Sequence, residues 1–193
     1  MDRTAHGPGN RRNGRRRGIR LFRDGDLLSL DFAANANGWV ADSAVSMVVG
    51  TADAGDLELI EVTERALEAG IAAAVPGNKT GDISYAIGSI AREAGLTVNL
   101  EFGGHGVGRT MHGDPHIPNA GRPGRGFPLK PGLVLAIEPW FMRGTDRLRV
   151  DPDGWTLRSA DGSRGAHSEH TIAVTSDQPI VLTRNRATGG QAA

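Results

Sequence analysis

The chain has 193 residues, 38% of them hydrophobic, and a formal net charge of zero, so a single globular domain with its own core is the natural expectation. It has no cysteine, which excludes disulfide frameworks, thiol nucleophiles and thiolate metal sites and leaves oxygen and imidazole as the only strong metal donors. No apolar run approaches the roughly 20 residues needed to cross a bilayer and no leader-like apolar stretch opens the chain, so the reading expects no membrane contact and takes the cytoplasm as the compartment.

Residues 1–22 read as a disordered segment rich in Arg and Gly. Arg11, Arg12, Arg15, Arg16, Arg17 and Arg20 crowd there, with Arg23 just beyond. Such a cluster suits either an arm for RNA, as in ribosome association, or a solvated tail. No aromatic residue interleaves the arginines as a stacking platform, so the solvated tail is preferred and no specific nucleic acid is expected. One domain is expected over 23–184, with a second disordered tail over 185–193.

Within the domain, residues 27–32 and 39–49 are apolar runs on either side of Asn37-Gly38, a strong hairpin signal. Leu57, Ile60, Leu67 and Ile71 recur at near-helical spacing, with Asp53 or Asp56 as the cap and Pro76-Gly77 as the stop. A second helix is expected to be capped by Asp82, to carry Ile83, Ile87, Ile90 and Ala91 on one face, and to end at Gly95. Residues 103–108 read as a glycine-rich loop around His105. Residues 133–141, 170–174 and 180–182 read as strands. Helices followed by antiparallel strands indicate an α+β domain with the helices on one side of the sheet.

Five residues sit where a purely structural reading struggles. Asp31 interrupts an apolar strand, Asp42 lies in its hairpin partner, Glu138 follows Ile137, Glu169 opens the 170–174 strand, and His105 stands among glycines. A carboxylate buried in a strand carries a large desolvation cost unless something positive offsets it. Lysine occurs only at 79 and 130, so a divalent metal is the economical counter-charge. Carboxylates plus imidazole suit Co, Mn, Fe or Zn, and the set is too large for one tetrahedral ion but suits two.

In that order, Asp31, Asp42, His105, Glu138 and Glu169 resemble the ligand set of the pita-bread metallopeptidases. The wording is closest to the type I methionine aminopeptidases, in DGDLLSLDFAANANGWVADSA, GGHGVGRTMHGDPHIPN, LKPGLVLAIEPWF and DGWTLRSADGSRGAHSEHTIAVT. The resemblance runs from about residue 24 to 182. It implies a curved antiparallel sheet and two divalent ions. It gives Asp31 as chelator of one ion, Asp42 and Glu169 as bridges, and His105 and Glu138 as the rest of the other ion's shell. It implies activated water attacking the first peptide bond of a nascent polypeptide, releasing methionine and favouring a small second residue. Glu138 would shuttle the proton and His112 would hydrogen-bond the substrate. The substrate's free amine would approach the ion held by Asp31. Met111 and Trp155 fall where the family lines its methionine slot, and His6 is the candidate for an upstream substrate-binding histidine. A monomer is expected.

The family's fold has two related halves, and this sequence begins just before the first metal-bearing strand, so most of the first half is expected to be absent and one sheet face bare. Two other readings share the ligands. A proline-specific pita-bread peptidase is disfavoured by the wording around residues 153–156 and 168–171. A catalytically incompetent metal-binding module would keep the cradle without the chemistry. His116 and His167, near glycines and prolines, are expected to be exposed loop residues, and the His170 ring is expected to point away from Glu169.

Overall fold

The computed structural model describes residues 21–152, 154 and 157–184; the two expected terminal tails therefore lie almost wholly outside the described residues. Strands β1 (Leu27–Ala36) and β2 (Trp39–Val48) form a hairpin joined by Asn37 and Gly38 alone. Both turn residues have positive φ, 54° and 80°. A two-residue type I′ turn demands this, and Asn-Gly reaches it at least steric cost.

Helix α1 (Ala54–Ala72) is capped by Asp53, whose carboxylate accepts the Gly55 N–H at 2.8 Å. It ends before Pro76. Helix α2 (Thr80–Glu93) starts earlier than the sequence suggests. Asp82 is not its cap but sits inside the first turn, accepting the Lys79 N–H at 2.7 Å with one oxygen and the Gly124 N–H at 2.8 Å with the other. Gly95 follows the helix with φ 66°, the left-handed residue expected there.

The remaining elements are short strands: β3 (Thr97–Val98), β4 (Gly103–Gly106), β5 (Gly113–Pro118), β6 (Val134–Ile137), β7 (Trp140–Met142), β8 (Leu148–Val150), β9 (Leu157–Ser159), β10 (Gly165–His167), β11 (Glu169–Ala173) and β12 (Ile180–Val181). The main sheet runs β1-β2-β11-β6-β4-β5 with β12 beside β11; β10-β7-β3 form a second sheet and β8-β9 a separate pair. The paired strands are antiparallel.

Two sequence expectations change here. The apolar stretch 133–141 is two strands in different sheets, broken at Glu138-Pro139, because proline has no N–H to continue a ladder. The glycine-rich stretch is strand β4 rather than a loop. A Cβ on Gly104 would lie 2.3 Å from the Ala136 carbonyl oxygen, and one on Gly106 would lie 2.1 Å from that of Asp114. Glycine is used here for close approach between β5 and β6, not for turning.

Leu59 of α1 and Ile83 and Ile87 of α2 share one buried core with Leu135, Ile137 and Ile172. Side chains alternate across a strand. The helices therefore cover one face of β6 and β11, and Ala136, Thr171 and Glu169 look out on the other. On the hairpin, Phe32, Trp39, Val45 and Met47 form an exposed apolar face opposite Asp31 and Asp42. No helix among the described residues is long and apolar enough to cross a membrane.

Candidate metal centre

The sheet register builds this site as two parallel rows. In the first, Asp31 pairs with Ala44 and Ala44 pairs with Glu169. Glu138, one residue past the Ile137–His170 pair, continues that row from β6. In the second, Ala33 pairs with Asp42, and Thr171 and His105 both pair with Ala136. Acidic and imidazole side chains thus alternate with the short side chains of Ala33, Ala44, Ala136 and Thr171.

Donor atoms converge accordingly. Three overlapping groups, Asp31–Asp42–Glu169, His105–Glu138–Glu169 and Asp42–His105–His112, each gather their ligand atoms within 4.8 Å of one another. His105 Nε2 lies 3.5 Å from Glu138 Oε1 and 4.0 Å from Asp42 Oδ2. Asp42, His105 and Glu169 are all buried.

The electrostatics of this cluster call for a cation. Burial, then repulsion from Asp31, pushes the Asp42 carboxyl above its ordinary value; His105 opposes the rise and Glu138 adds to it. The Nδ1 of His105 lies 3.0 Å from the Gly106 carbonyl oxygen. A carbonyl only accepts, so Nδ1 carries a proton and Nε2 is the ring nitrogen that faces the carboxylates. Carboxylate oxygens and an imidazole nitrogen converging in a buried cleft fit a divalent ion between them. All-oxygen and imidazole donors suit the borderline metals expected from the sequence.

Hydroxyls and an amide hold the ligands in place. The Asp42 N–H donates to Thr171 Oγ1 at 2.8 Å, and the same hydroxyl donates to the Asp42 carbonyl at 2.7 Å. Buried Asn119 donates to the Glu138 carbonyl at 3.0 Å. Neither Thr171 nor Asn119 stood out in the sequence, since each acts through a partner distant along the chain.

His112 lies exposed at the mouth of the cluster, its ring 4.5 Å from that of His105 and tilted by 58°. Met111 is exposed beside it in the β4–β5 connection. His6 and Trp155 lie outside the described residues. His116 is exposed as expected but lies in strand β5 rather than a loop, and His170 is turned from Glu169, with Nδ1 2.9 Å from Thr183 Oγ1. His167 overturns its expectation. It is buried on β10 with Nε2 3.4 Å from Glu138 Oε2. Its place two residues before Glu169 was the one hint in the sequence, but the two end and begin strands of different sheets, so alternation within a strand did not assign it.

Comparison with known proteins matches residues 2–176 to metallopeptidase family M24, a span that includes His6. Methionine aminopeptidase 1 of Mycobacterium tuberculosis is 48% identical over 165 residues, covering 82% of this chain and 62% of that protein. Methionine aminopeptidase 1 of Bacillus subtilis is 43% identical, covering 86% of this chain and 67% of that protein. The crystal structure of methionine aminopeptidase from Thermotoga maritima superposes with a TM-score of 0.83 at 43% identity, over 85% of this chain and 66% of that one. A prolidase from Pyrococcus horikoshii, at 23% identity and a TM-score of 0.69, shares the fold alone. The chain thus spans about two thirds of the length of these aminopeptidases, and less of the mycobacterial one.

Proposed function

Since the chain belongs to metallopeptidase family M24, we propose that it is a two-metal aminopeptidase that removes N-terminal methionine from nascent polypeptides. Membership implies use of a divalent metal; the number of ions and their identity among Co, Mn, Fe and Zn are part of the proposal. The observation that carries it is the convergence of Asp31, Asp42, His105, Glu138 and Glu169 over a floor of small side chains. Relatives at 43–48% identity that bear the name methionine aminopeptidase support this substrate over an X-Pro peptide.

In this reading Asp31 would hold one ion, Asp42 and Glu169 would be shared by both, and His105 and Glu138 would complete the direct ligands of the other ion. When bound, the ions supply Lewis acidity, which polarises a carbonyl and makes water nucleophilic near neutral pH. Glu138 takes a proton from the attacking water at a carboxylate oxygen and returns it to the leaving amine. His112, at the mouth, donates to the substrate carbonyl oxygen as negative charge builds there. Met111 and Trp155 line the methionine slot, a thioether against aromatic and thioether surfaces, and His6 binds the substrate. A small second residue is preferred, the chain acts in the cytoplasm as a monomer, and its arginine segment is a solvated tail, with ribosome association as the alternative.

Methionine release from a Met-Ala peptide by the purified chain, with added Mn(II) or Co(II), tests the proposal. Metal-dependent release that disappears in Asp42→Ala is expected. A folded, metal-loaded chain that releases nothing overturns it, and the centre is then a metal-binding module without the chemistry. Salt-dependent co-sedimentation with ribosomes separates the two, and binding that deletion of residues 1–22 abolishes would establish the alternative.

A further inference from the structure

His167 stands against the metal cluster with no role in the chemistry proposed above, and its surroundings are built with unusual care. The residue is 2% exposed. Its Nδ1 lies 3.4 Å from Ser29 Oγ, and its Nε2 lies 3.4 Å from Glu138 Oε2. A serine hydroxyl can donate to Nδ1, and in that tautomer the hydrogen sits on the buried Nε2, which makes no hydrogen bond within normal limits and has the Glu138 carboxylate 3.4 Å away. The backbone is held as tightly. The His167 N–H donates to Ser46 Oγ at 2.9 Å, and the same hydroxyl donates to the His167 carbonyl at 2.7 Å. The ring also lies 5.9 Å from the Trp140 ring, centroid to centroid.

The hairpin register explains why both serines reach one histidine. Ser29 and Ser46 are directly paired, one step along the same face from the Asp31–Ala44 pair. β2 meets β11 at Ala44–Glu169 and Ser43–His170. Continued either way, that register places Thr171 opposite Asp42 and His167 opposite Ser46. At each of those flanking positions a hydroxyl replaces the backbone ladder bonds. Burying an imidazole and two hydroxyls costs desolvation that a leucine of similar volume would avoid. Packing alone therefore does not account for the group.

The Glu138 carboxylate lies between two rings. Oε1 faces His105 Nε2 at 3.5 Å and Oε2 faces His167 Nε2 at 3.4 Å. We infer that His167, oriented by Ser29 and Ser46, is a positioning residue that fixes the plane of the Glu138 carboxylate, keeping Oε1 turned into the cluster. This rests on the metal reading above. A hydrogen-bond donor behind a ligating carboxylate restricts its rotation and supports its ligation, and loss of such partners weakens metal binding by about 10–100-fold in known sites.

The test uses the full chain with Co(II) as probe. Affinity is measured by calorimetry, the visible ligand-field spectrum is recorded, and unfolding of the metal-free chain reports on the fold. His167→Leu is expected to bind Co(II) at least ~10-fold more weakly and to shift the visible bands. His167→Gln keeps an N–H donor on a neutral side chain and should recover most of the affinity and the spectrum. Ser29→Ala should move both readouts in the same direction as His167→Leu, by less. A folded His167→Leu with wild-type affinity and spectrum overturns the inference, as does a His167→Gln no better than the leucine variant. If the leucine variant does not fold, Ser29→Ala decides, and an unchanged Co(II) spectrum and affinity there overturns it. Wild-type chain that binds no Co(II) would bring down the metal reading itself and this inference with it, a result distinct from the others.

Discussion

The surroundings of Asp42 disfavour its carboxylate in the absence of metal, and this has a measurable sign. Burial and the neighbouring Asp31 raise its folded value above the ordinary 3.8, so the folded chain holds that proton more tightly than the unfolded chain does. Below the ordinary carboxylate range both states are protonated and Asp42 leaves stability unchanged. As pH rises past that range the unfolded chain releases its proton first, and folded stability falls until the raised value has been passed. Metal-free Asp42→Asn should therefore unfold at higher denaturant than wild type at pH 7, and the difference should vanish near pH 3. Saturating Mn(II) should reverse the order at pH 7, because only wild type keeps the carboxylate. Urea titrations at the two pH values, with and without metal, check each arm, and an Asp42→Asn chain less stable than metal-free wild type at pH 7 refutes it.

At the scale of elements, the site is a product of strand alternation and register. β1, β2, β11 and β4, and Glu138 just past the end of β6, send polar side chains to the same face, and alanines or a threonine lie between them. Replacing Ala44, at the centre of the first row, with leucine should fill the space between Asp31 and Glu169. We expect Co(II) binding to fall by at least ~10-fold, the scale set by losing a ligand's support, with the helical layer intact by circular dichroism. Gly104→Ala tests the other device. Its Cβ would meet the Ala136 carbonyl, so β4 must move away from β6 and carry His105 with it. Overpacking of this kind typically costs ~1–3 kcal/mol, and denaturant unfolding together with weakened Co(II) binding would show it. Much of this was legible beforehand. Asn37-Gly38 announces the hairpin, and acidic residues inside apolar strands announce the centre. His167 was missed because glycines nearby suggested a loop, while the decisive facts, Ser29 and Ser46 on a distant hairpin, depend on a register that only the assembled sheet defines. The break at Pro139 was readable from proline chemistry, but which sheet each half joins was not.

Across the whole molecule, two layers divide the work. The helices and the inward faces of β6 and β11 form the apolar core, and the outward faces carry the ligands. The ligands come from residues 31 to 169, so a bound metal ties together strands far apart in the chain, and its stabilisation should be global. A ligand that binds only the folded state at 100 times its dissociation constant adds about 2.7 kcal/mol. Ile87 lies fully buried in α2, on the side of the sheet away from the ligands. Ile87→Ala should cost about 2–5 kcal/mol through the cavity it leaves. Because the site draws no donor from α2, the increment from Mn(II) should match that of wild type to within about 0.5 kcal/mol, the additivity expected of separated sites. Urea unfolding of both chains, with and without Mn(II), measures the four free energies needed. Equal increments would establish that the core supports the centre only by holding the sheet folded. A clearly smaller increment in Ile87→Ala would mean that helix packing reaches through β6 to shape the ligands themselves, and the two-layer division would fail.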